Sequence, residues 1–332
     1  MNGVDVYNRN LEHKIKAFIH NSRYGRELNG FYAYISSDKT QNTVYKNLLC
    51  VDRFFKYVNK PSARLTLDDF SRFLIYASKR KDGKEMSASA KIGIYHALKN
   101  YGEYLKAKGT LKENPMDHIK RPSSKESQET IQKRKDGFLT PDEIQKYIRN
   151  IKYGVGTPEE IKKRQNWKER DLAIIMVFLS TGIRCSAMYK LDVDSISFDK
   201  GILLVTDKGN IAKEYELSEE VLSILKDWLK VRRTLLVGKQ ENALFISNRL
   251  IRISDRSIAN IVTKYTEGIT EKNITPHKLR ATYGTQLYEA TKDLYFVQEC
   301  MGHASPITTE RYIRGQENKT KKASAIMSDL FK

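Results

Sequence analysis

Several polar residues in the second half of the chain lie where a plain hydrophobic core would not place them. Arg184 directly follows the most apolar helical stretch, and His277 and Arg280 lie three residues apart at a predicted helix start. His303 comes at a turn, and Tyr312 follows nine residues later between two arginines. A guanidinium stays charged at any relevant pH and donates paired hydrogen bonds to phosphate oxygens. A tyrosine hydroxyl is a candidate nucleophile once a base accepts its proton.

Each of these residues alone also has an ordinary structural interpretation. An arginine at a helix end is commonly a cap or an ion-pair partner, and a histidine on a helical face is commonly a structural group. Tyr312 is one of 19 tyrosines. Lys208, at the tip of a predicted hairpin, would ordinarily be a solvated turn residue. The order of these residues along the chain therefore carries more information than any one of them.

The elements that must position these residues form a second domain. A capping box at Thr140 predicts a helix start, and the domain begins near residue 138. The nearly unbroken apolar pattern of residues 171–182 predicts a helix that is buried on most sides. The segments 202–206 and 211–217 are rich in β-branched residues and predict a β-hairpin.

The first half of the chain is predicted to form a small helical bundle. Apolar residues recur at spacings of three and four in residues 40–59 and 87–108, and a capping box at Thr66 starts a helix between them. Residues 1–22 carry a weaker helical pattern whose place the sequence does not assign. The polar stretch 121–136 predicts an exposed linker between the two domains.

The ordered set of polar residues resembles the tyrosine recombinase, or phage integrase, family. It consists of Thr181-Gly182-Ile183-Arg184, Lys208, His277-Lys278-Leu279-Arg280, Met301-Gly302-His303 and Tyr312. Asn114-Pro115 before a basic linker and residues 305–312 are also similar to family segments. The resemblance covers the second domain well and the first domain in architecture only. It implies a mainly α fold with a small β-sheet in the second domain, built from an N-terminal helical core-binding bundle and a C-terminal tyrosine-recombinase catalytic domain.

The resemblance implies a role for each matching position. Arg184 and Arg280 would bind the scissile phosphate and stabilise the added negative charge of a five-coordinate phosphorus. Tyr312 would attack that phosphorus and form a 3′-phosphotyrosyl link to DNA. Because a phenol titrates near pH 10, about three units above neutrality, it needs a proton acceptor, and His277 would assist.

Two further positions complete the implied reaction. Lys208 would protonate the departing 5′ oxygen as general acid, and His303 would hydrogen-bond the phosphate. A covalent intermediate conserves the energy of the broken phosphodiester, so no ATP, metal ion or other cofactor is expected. The sequence also lacks a GxxxxGK[ST] motif and the carboxylate cluster of a two-metal nuclease.

Two positions depart from the family pattern. Ala187 lies three residues after Arg184, where the family commonly has an acidic residue, so another group is expected to orient this arginine. Ala281 follows Arg280, where many members have histidine. Neither change removes one of the six catalytic positions, so the protein is expected to be active.

Charge and composition favour a nucleic-acid partner over a merely well-solvated basic protein. The 332-residue chain has a formal net charge of +19, with +12 in residues 1–137 and +7 in the remainder. A basic excess over both domains suits a surface that surrounds a polyanion. The longest apolar segment, residues 172–179, is too short to cross a membrane. The amino terminus lacks a signal-peptide pattern, so a cytoplasmic, nucleoid-associated location is expected. Three well-separated cysteines indicate neither a disulfide framework nor a zinc cluster.

Two helix starts are candidate DNA contacts, because helix starts present backbone amides and short polar side chains to phosphates. Ser87 and Lys91 belong to the first, and Arg256 belongs to the second. The alternative for both is a solvated helix end.

The predicted organisation has five parts. They are an N-terminal extension at 1–22, a helical core-binding domain at 23–120, the linker at 121–136, a catalytic domain at 137–318 and a tail helix at 319–332. The apolar stripe of the tail packs either on its own domain or on a neighbouring protomer. The second arrangement would link active sites in a homo-tetramer on two duplexes.

The predicted function is a site-specific recombinase or integrase acting on double-stranded DNA that carries a specific recombination site. A type IB topoisomerase-like relaxing enzyme would use the same chemistry without pairing two sites. A non-catalytic DNA-binding accessory protein on the same scaffold is the third alternative.

Overall fold

The computed structural model describes residues 3–80, 82–123, 137–206, 212–270 and 273–302. The chain divides into two compact units, Asp5–Gln128 and Glu129–Lys332, the second together with Met1–Val4. No helix of the described residues is both long and apolar enough to cross a membrane.

The first unit is a helical bundle with a strongly aromatic core. Its helices are α1 (Gly3–Asn21), α2 (Gly25–Ile35), α3 (Gln41–Val58), α4 (Leu67–Ala77) and α5 (Ala88–Ala107), with short 3₁₀ turns at Ser62–Arg64 and Pro115–His118. The ring of Phe54 lies 4.8 Å from that of Phe70 and 5.2 Å from that of Phe73. Each such buried ring contributes about 1.5–3 kcal/mol of hydrophobic free energy.

Local signals set the helix boundaries in this unit. Thr66 and Asp69 form the predicted capping box at the start of α4, and the Ser87 side chain accepts a hydrogen bond from the Ala90 amide at the start of α5. The helix predicted for residues 40–59 ends at Asn59 in the left-handed conformation. The predicted helices of this unit are therefore confirmed.

Helix α1, within the segment 1–22 that the sequence pattern left without a place, contributes to this bundle. Ile15 and Ile19 of α1 are buried in the same core as Phe31 of α2 and Phe54 of α3. Helix α1 is therefore packed against the bundle through an apolar face. Of the predicted linker, residues 124–136 lie outside the described parts of the chain.

The second unit is also mainly helical and contains one small sheet. Its helices are α6 (Pro141–Tyr153), α7 (Pro158–Gln165), α8 (Lys168–Thr181), α9 (Cys185–Lys190), α10 (Glu219–Leu235), α11 (Asp255–Lys264), α12 (Pro276–Thr291) and α13 (Leu294–Met301). The predicted capping box between Thr140 and Glu143 starts α6. The predicted fold class, mainly α with a small β-sheet in the second half, is confirmed.

Helix α8 is central to this unit, with α10 and α12 packed against it. Ile174, Ile175 and Phe178 are fully buried, as the unbroken apolar pattern predicts. The helix ends at Gly182, which adopts the left-handed conformation with φ of +60°. A side chain there would place its Cβ 2.3 Å from Cδ1 of Tyr283, so both the backbone conformation and the close packing require glycine.

The three strands β1 (Ile196–Ser197), β2 (Ile202–Thr206) and β3 (Ala212–Glu216) form an antiparallel sheet in that order. The predicted hairpin is confirmed as β2 and β3, with Leu203 opposite Tyr215. Leu203 is buried and Leu204 is exposed, which is the alternation of a strand with one face on the core. Strand β1 has only two residues and was not predicted, because no periodicity can be recognised over so short a segment.

Candidate active site

Helix α12 carries two of the predicted catalytic residues. Pro276 occupies the first helical position and Thr275 caps the helix, so the start is fixed by local sequence. His277 is exposed in the first turn, and Arg280 is buried one turn further along. The spacing of three residues places both on the same side of the helix.

Arg280 connects the carboxyl ends of two other helices. Its Nη1 donates a hydrogen bond to the Gly182 carbonyl at 2.5 Å, and its Nη2 donates to the Met301 carbonyl at 2.5 Å. Only 3% of the residue is exposed. Carbonyl groups at a helix carboxyl end carry partial negative charge, so the guanidinium stabilises the ends of both α8 and α13.

The two bonds of Arg280 bring together the segments that hold further predicted site residues. Gly182 lies two residues before Arg184, which is half-buried at the start of α9. Met301 lies two residues before His303. Arg280 therefore anchors two chain segments to α12. One lies next to Arg184, and the other leads to His303.

Lys213 of β3 provides a second connection to the end of α13. Its Nζ donates hydrogen bonds to the carbonyls of Glu299 at 2.5 Å and Cys300 at 2.8 Å. The ammonium also lies 5.0 Å from the centroid of the Tyr215 ring. This connection was not predicted from the sequence, because the partners of Lys213 lie 86 and 87 positions away in the chain.

The protonation of nearby groups follows from their burial. Burial, with a smaller contribution from the carboxylate of Asp255, raises the pKa of the Cys185 thiol to about 12. Burial also raises the pKa of Tyr283 and of Cys300, whose side chains are hydrogen-bonded to each other. These three groups are therefore neutral near pH 7.

Lys208, His303 and Tyr312 lie outside the described parts of the chain, as does the predicted tail helix at 319–332. The structure thus brings together the α12 residues His277 and Arg280 with the backbone next to Arg184. Within the described residues, no group of three or more His, Cys, Asp or Glu side chains could hold a metal ion.

The sequence profile of the phage integrase family matches residues 137–319, which include the whole of this site. This chain belongs to the phage integrase family. Among curated family members, the tyrosine recombinase XerC of Haemophilus influenzae strain PittEE is 30% identical over 244 residues, covering 73% of this chain and 74% of that protein. The XerC of Caldanaerobacter subterraneus subsp. tengcongensis is 26% identical over 340 residues, covering 94% and 90%.

Solved structures of phage integrase family members share the fold. The XerH site-specific recombinase in a post-cleavage complex with its palindromic difH substrate aligns with a TM-score of 0.64 and 20% identity, covering 87% of this chain and 80% of that one. A lambda integrase dimer bound to a COC′ core site aligns with a TM-score of 0.62 and 17% identity, covering 88% and 78%. The resemblance inferred from the ordered polar residues is therefore confirmed.

The three candidate DNA contacts of this phage integrase family member all lie at helix starts. Ser87 caps α5 and is exposed, while the half-buried Lys91 is paired with Glu85. Arg256 is exposed in the first turn of α11, which Ser254 caps by accepting a hydrogen bond from the Ser257 amide at 3.1 Å.

A basic cleft of about 550 Å³ lies along one face of α11 and was not predicted from the sequence. Arg170, Arg249, Arg252 and Lys264 are among the residues that line it. Arg249 and Arg252 are close together in sequence and could have been recognised as a basic segment. Arg170 and Lys264 come from different helices, and only folding brings them to the same cleft.

Proposed function

We propose that this tyrosine recombinase cuts and rejoins DNA strands at a specific recombination site through a 3′-phosphotyrosyl intermediate. The observation that carries the proposal is the position of Arg280, whose two carbonyl bonds join the chain beside Arg184 to the chain leading to His303. Two arginines on one rigid frame suit a group with several anionic oxygens, because fixed donors stabilise developing charge without reorganising. Duplex DNA is the partner that such a site fits.

In this proposal the chemical steps are divided among six residues. Arg184, Arg280 and His303 bind the scissile phosphate, and Tyr312 attacks the phosphorus while the bond to the 5′ oxygen breaks. His277 accepts the tyrosine proton, and Lys208 donates a proton to the departing oxygen. Ligation is the reverse reaction with a new 5′ hydroxyl, so the phosphodiester energy is conserved and neither ATP nor a metal ion takes part.

The proposal assigns a role to each part of the chain. The predicted helical domain at 23–120, which the structure extends to include α1, and the catalytic domain at 137–318 each bind the duplex, and the linker at 121–136 connects them in sequence. The tail helix at 319–332 docks on a neighbouring protomer, which gives a homo-tetramer on two duplexes. A DNA substrate also places the protein at the nucleoid in the cytoplasm. The net positive charge of both halves, +12 in residues 1–137 and +7 in the remainder, supports this assignment.

Covalent trapping tests the nucleophile. A duplex selected for tight binding from a random-sequence pool is nicked at each position in turn, so that cleavage releases a short fragment and traps the adduct. The wild-type protein is expected to form an adduct that withstands denaturation, and Tyr312→Phe is expected to form none. Tyr153→Phe changes an exposed tyrosine of α6 and serves as the matched control. Adduct formation by Tyr312→Phe at the wild-type rate would contradict the assignment.

Two further measurements test the type of enzyme. Recombinant products between two plasmid-borne copies of the selected site are expected, whereas a relaxing enzyme changes only supercoiling. Adduct formation is expected to continue in excess EDTA, and its loss would contradict the metal-free mechanism.

A further inference from the structure

The last turn of α13 has an unusual set of hydrogen-bond donors. Its three final carbonyls, those of Glu299, Cys300 and Met301, all accept from cationic side chains. Lys213 supplies the donor for the first two and Arg280 for the third. The carboxyl end of a helix attracts cations, but two cations from different elements are more than an ordinary cap requires.

Lys213 connects elements that carry different parts of the proposed reaction. It is the second residue of β3, and the segment that precedes this strand holds Lys208, five positions before it. The carbonyl of Cys300, which accepts its hydrogen bond, lies three positions before His303. Holding a long lysine side chain in one place costs up to about 2 kcal/mol of rotamer entropy. Two hydrogen bonds and the contact with Tyr215 offset this cost.

We propose that Lys213 is a positioning residue that fixes the β2–β3 hairpin against the carboxyl end of α13. This inference rests on the proposed function, because the step it supports is proton donation by Lys208 to the leaving oxygen. Lys213 acts through other groups and does not touch the substrate. The loss of its two hydrogen bonds releases the hairpin from α13 and lowers the rate of that proton donation.

The chemistry of the leaving group separates this role from a purely structural one. A departing 5′ alkoxide is strongly basic and needs a proton from a general acid. A 5′ thiolate is far less basic and leaves without one. A substrate with sulfur in place of the bridging 5′ oxygen therefore restores cleavage to any variant whose only defect is in proton donation.

The experiment measures single-turnover adduct formation on oxygen and sulfur versions of the selected duplex. Lys213→Met is expected to slow cleavage of the oxygen substrate about 10²-fold, the lower end of the effect of a general acid, and to cleave the sulfur substrate at close to the wild-type rate. Lys208→Met provides the reference for a lost general acid. Lys230→Met changes a lysine of α10 that is 78% exposed and is expected to match the wild type on both substrates.

Two further variants protect the test against a folding defect. Lys213→Arg keeps a cationic donor and is expected to retain most activity on oxygen. Lys213→Gln keeps a neutral donor, and its cleavage rate on the oxygen substrate is expected to lie between those of Lys213→Arg and Lys213→Met. The sulfur substrate is again expected to restore the rate. Thermal melting of each variant is measured in parallel.

Two results would overturn the proposal. One is cleavage of the oxygen substrate by Lys213→Met at the wild-type rate. The other is a cleavage rate that falls equally on the oxygen and sulfur substrates in both Lys213→Met and Lys213→Gln. Failure of the wild-type protein to form an adduct with either substrate is a distinct result, because it rejects the proposed function on which this inference rests.

Discussion

The two ends of helix α8 hold buried arginines in different ways. At its start, Arg170 donates from Nε and Nη2 to the carboxylate of Asp171 at 2.9 and 2.8 Å, and that carboxylate also accepts from Lys264 and Tyr265. At its end, Arg280 donates to two backbone carbonyls. A carboxylate compensates the charge of a guanidinium, whereas carbonyl dipoles orient the group and leave its formal charge intact. The first arrangement ties the arginine to a buried carboxylate, and the second ties it to two helix ends, where we propose that Arg280 binds the scissile phosphate.

Substitution of Arg280 tests the second half of this comparison and has the largest expected effect. Arg280→Ala removes a fixed donor for the developing phosphate charge, so adduct formation is expected to slow about 10³-fold. Arg280→Lys keeps the charge without the planar fork and is expected to lose about 10²-fold. Single-turnover cleavage at saturating protein measures both variants.

Arg232 provides a matched control for Arg280. It is a buried arginine in the same unit, and it also donates to two backbone carbonyls, those of Ala243 and Glu241. Arg232→Lys is expected to lower stability while folded molecules cleave at the wild-type rate. Equal cleavage by Arg280→Ala and the wild type, per folded molecule, would show that Arg280 has only a structural role.

Substitution of Asp171 tests the opposite end of α8. Asp171→Asn leaves Arg170 and Lys264 without the buried carboxylate, and the free energy of unfolding is expected to fall by about 3 kcal/mol. Both tryptophans, Trp167 and Trp228, belong to this unit, so urea unfolding followed by tryptophan fluorescence reports on it alone. The cleavage rate of folded molecules is expected to be unchanged.

An exposed ion pair supplies the control for the buried one. Asp227→Asn breaks the ion pair between Asp227, whose side chain is 59% exposed, and Lys230, whose side chain is 78% exposed. The free energy of unfolding is expected to change by less than about 1 kcal/mol. A similar small change for Asp171→Asn would mean that the buried network contributes little to stability.

Helix α11 has contacts near both ends of α8. The smallest effect that we expect is on duplex binding, from a substitution in this helix. Its first turn contacts α9 through a hydrogen bond from the Cys185 thiol to the Asp255 carbonyl, and its last residue is Lys264 beside Asp171. Arg256→Ala is expected to weaken duplex binding by about 1 kcal/mol. It is also expected to reduce the slope of log K against log salt concentration by about 1, the contribution of one phosphate contact. Lys264→Ala is expected to lower stability and leave both binding quantities unchanged. Fluorescence anisotropy across a salt series measures this, and identical slopes for all three proteins would exclude Arg256 as a phosphate contact.

Most of the fold could be predicted because its signals are local. The capping boxes at Thr66 and Thr140, the apolar pattern of residues 171–182 and the hairpin segments each lie within one element. Strand β1 was missed because two residues show no period. The place of α1 was missed because a weak helical pattern does not specify which surface its apolar face contacts.

The candidate site could be predicted only as a set of residues in order. That order sufficed to identify the family, and the family profile over residues 137–319 agrees with it. The partners of Arg280 lie 98 and 21 positions away in the chain, and no periodicity or motif links a side chain to a distant carbonyl. The network around Asp171 was equally hidden, because Lys264 and Tyr265 lie 93 and 94 positions from it.

The sequence by itself determined the helices with clear caps or periodicity, the hairpin, the basic character and the family of this protein, because caps, periodicity, charge and an ordered motif set are properties of residues along the chain. The helix Gly25–Ile35, among others, was not predicted individually. Only the tertiary structure decided which buried cations meet a carboxylate, as Arg170 does, and which donate to helix-end carbonyls, as Arg280 does. That distinction depends on which carboxylates and helix ends meet in space, and the packing of α8, α11, α12 and α13 sets those meetings.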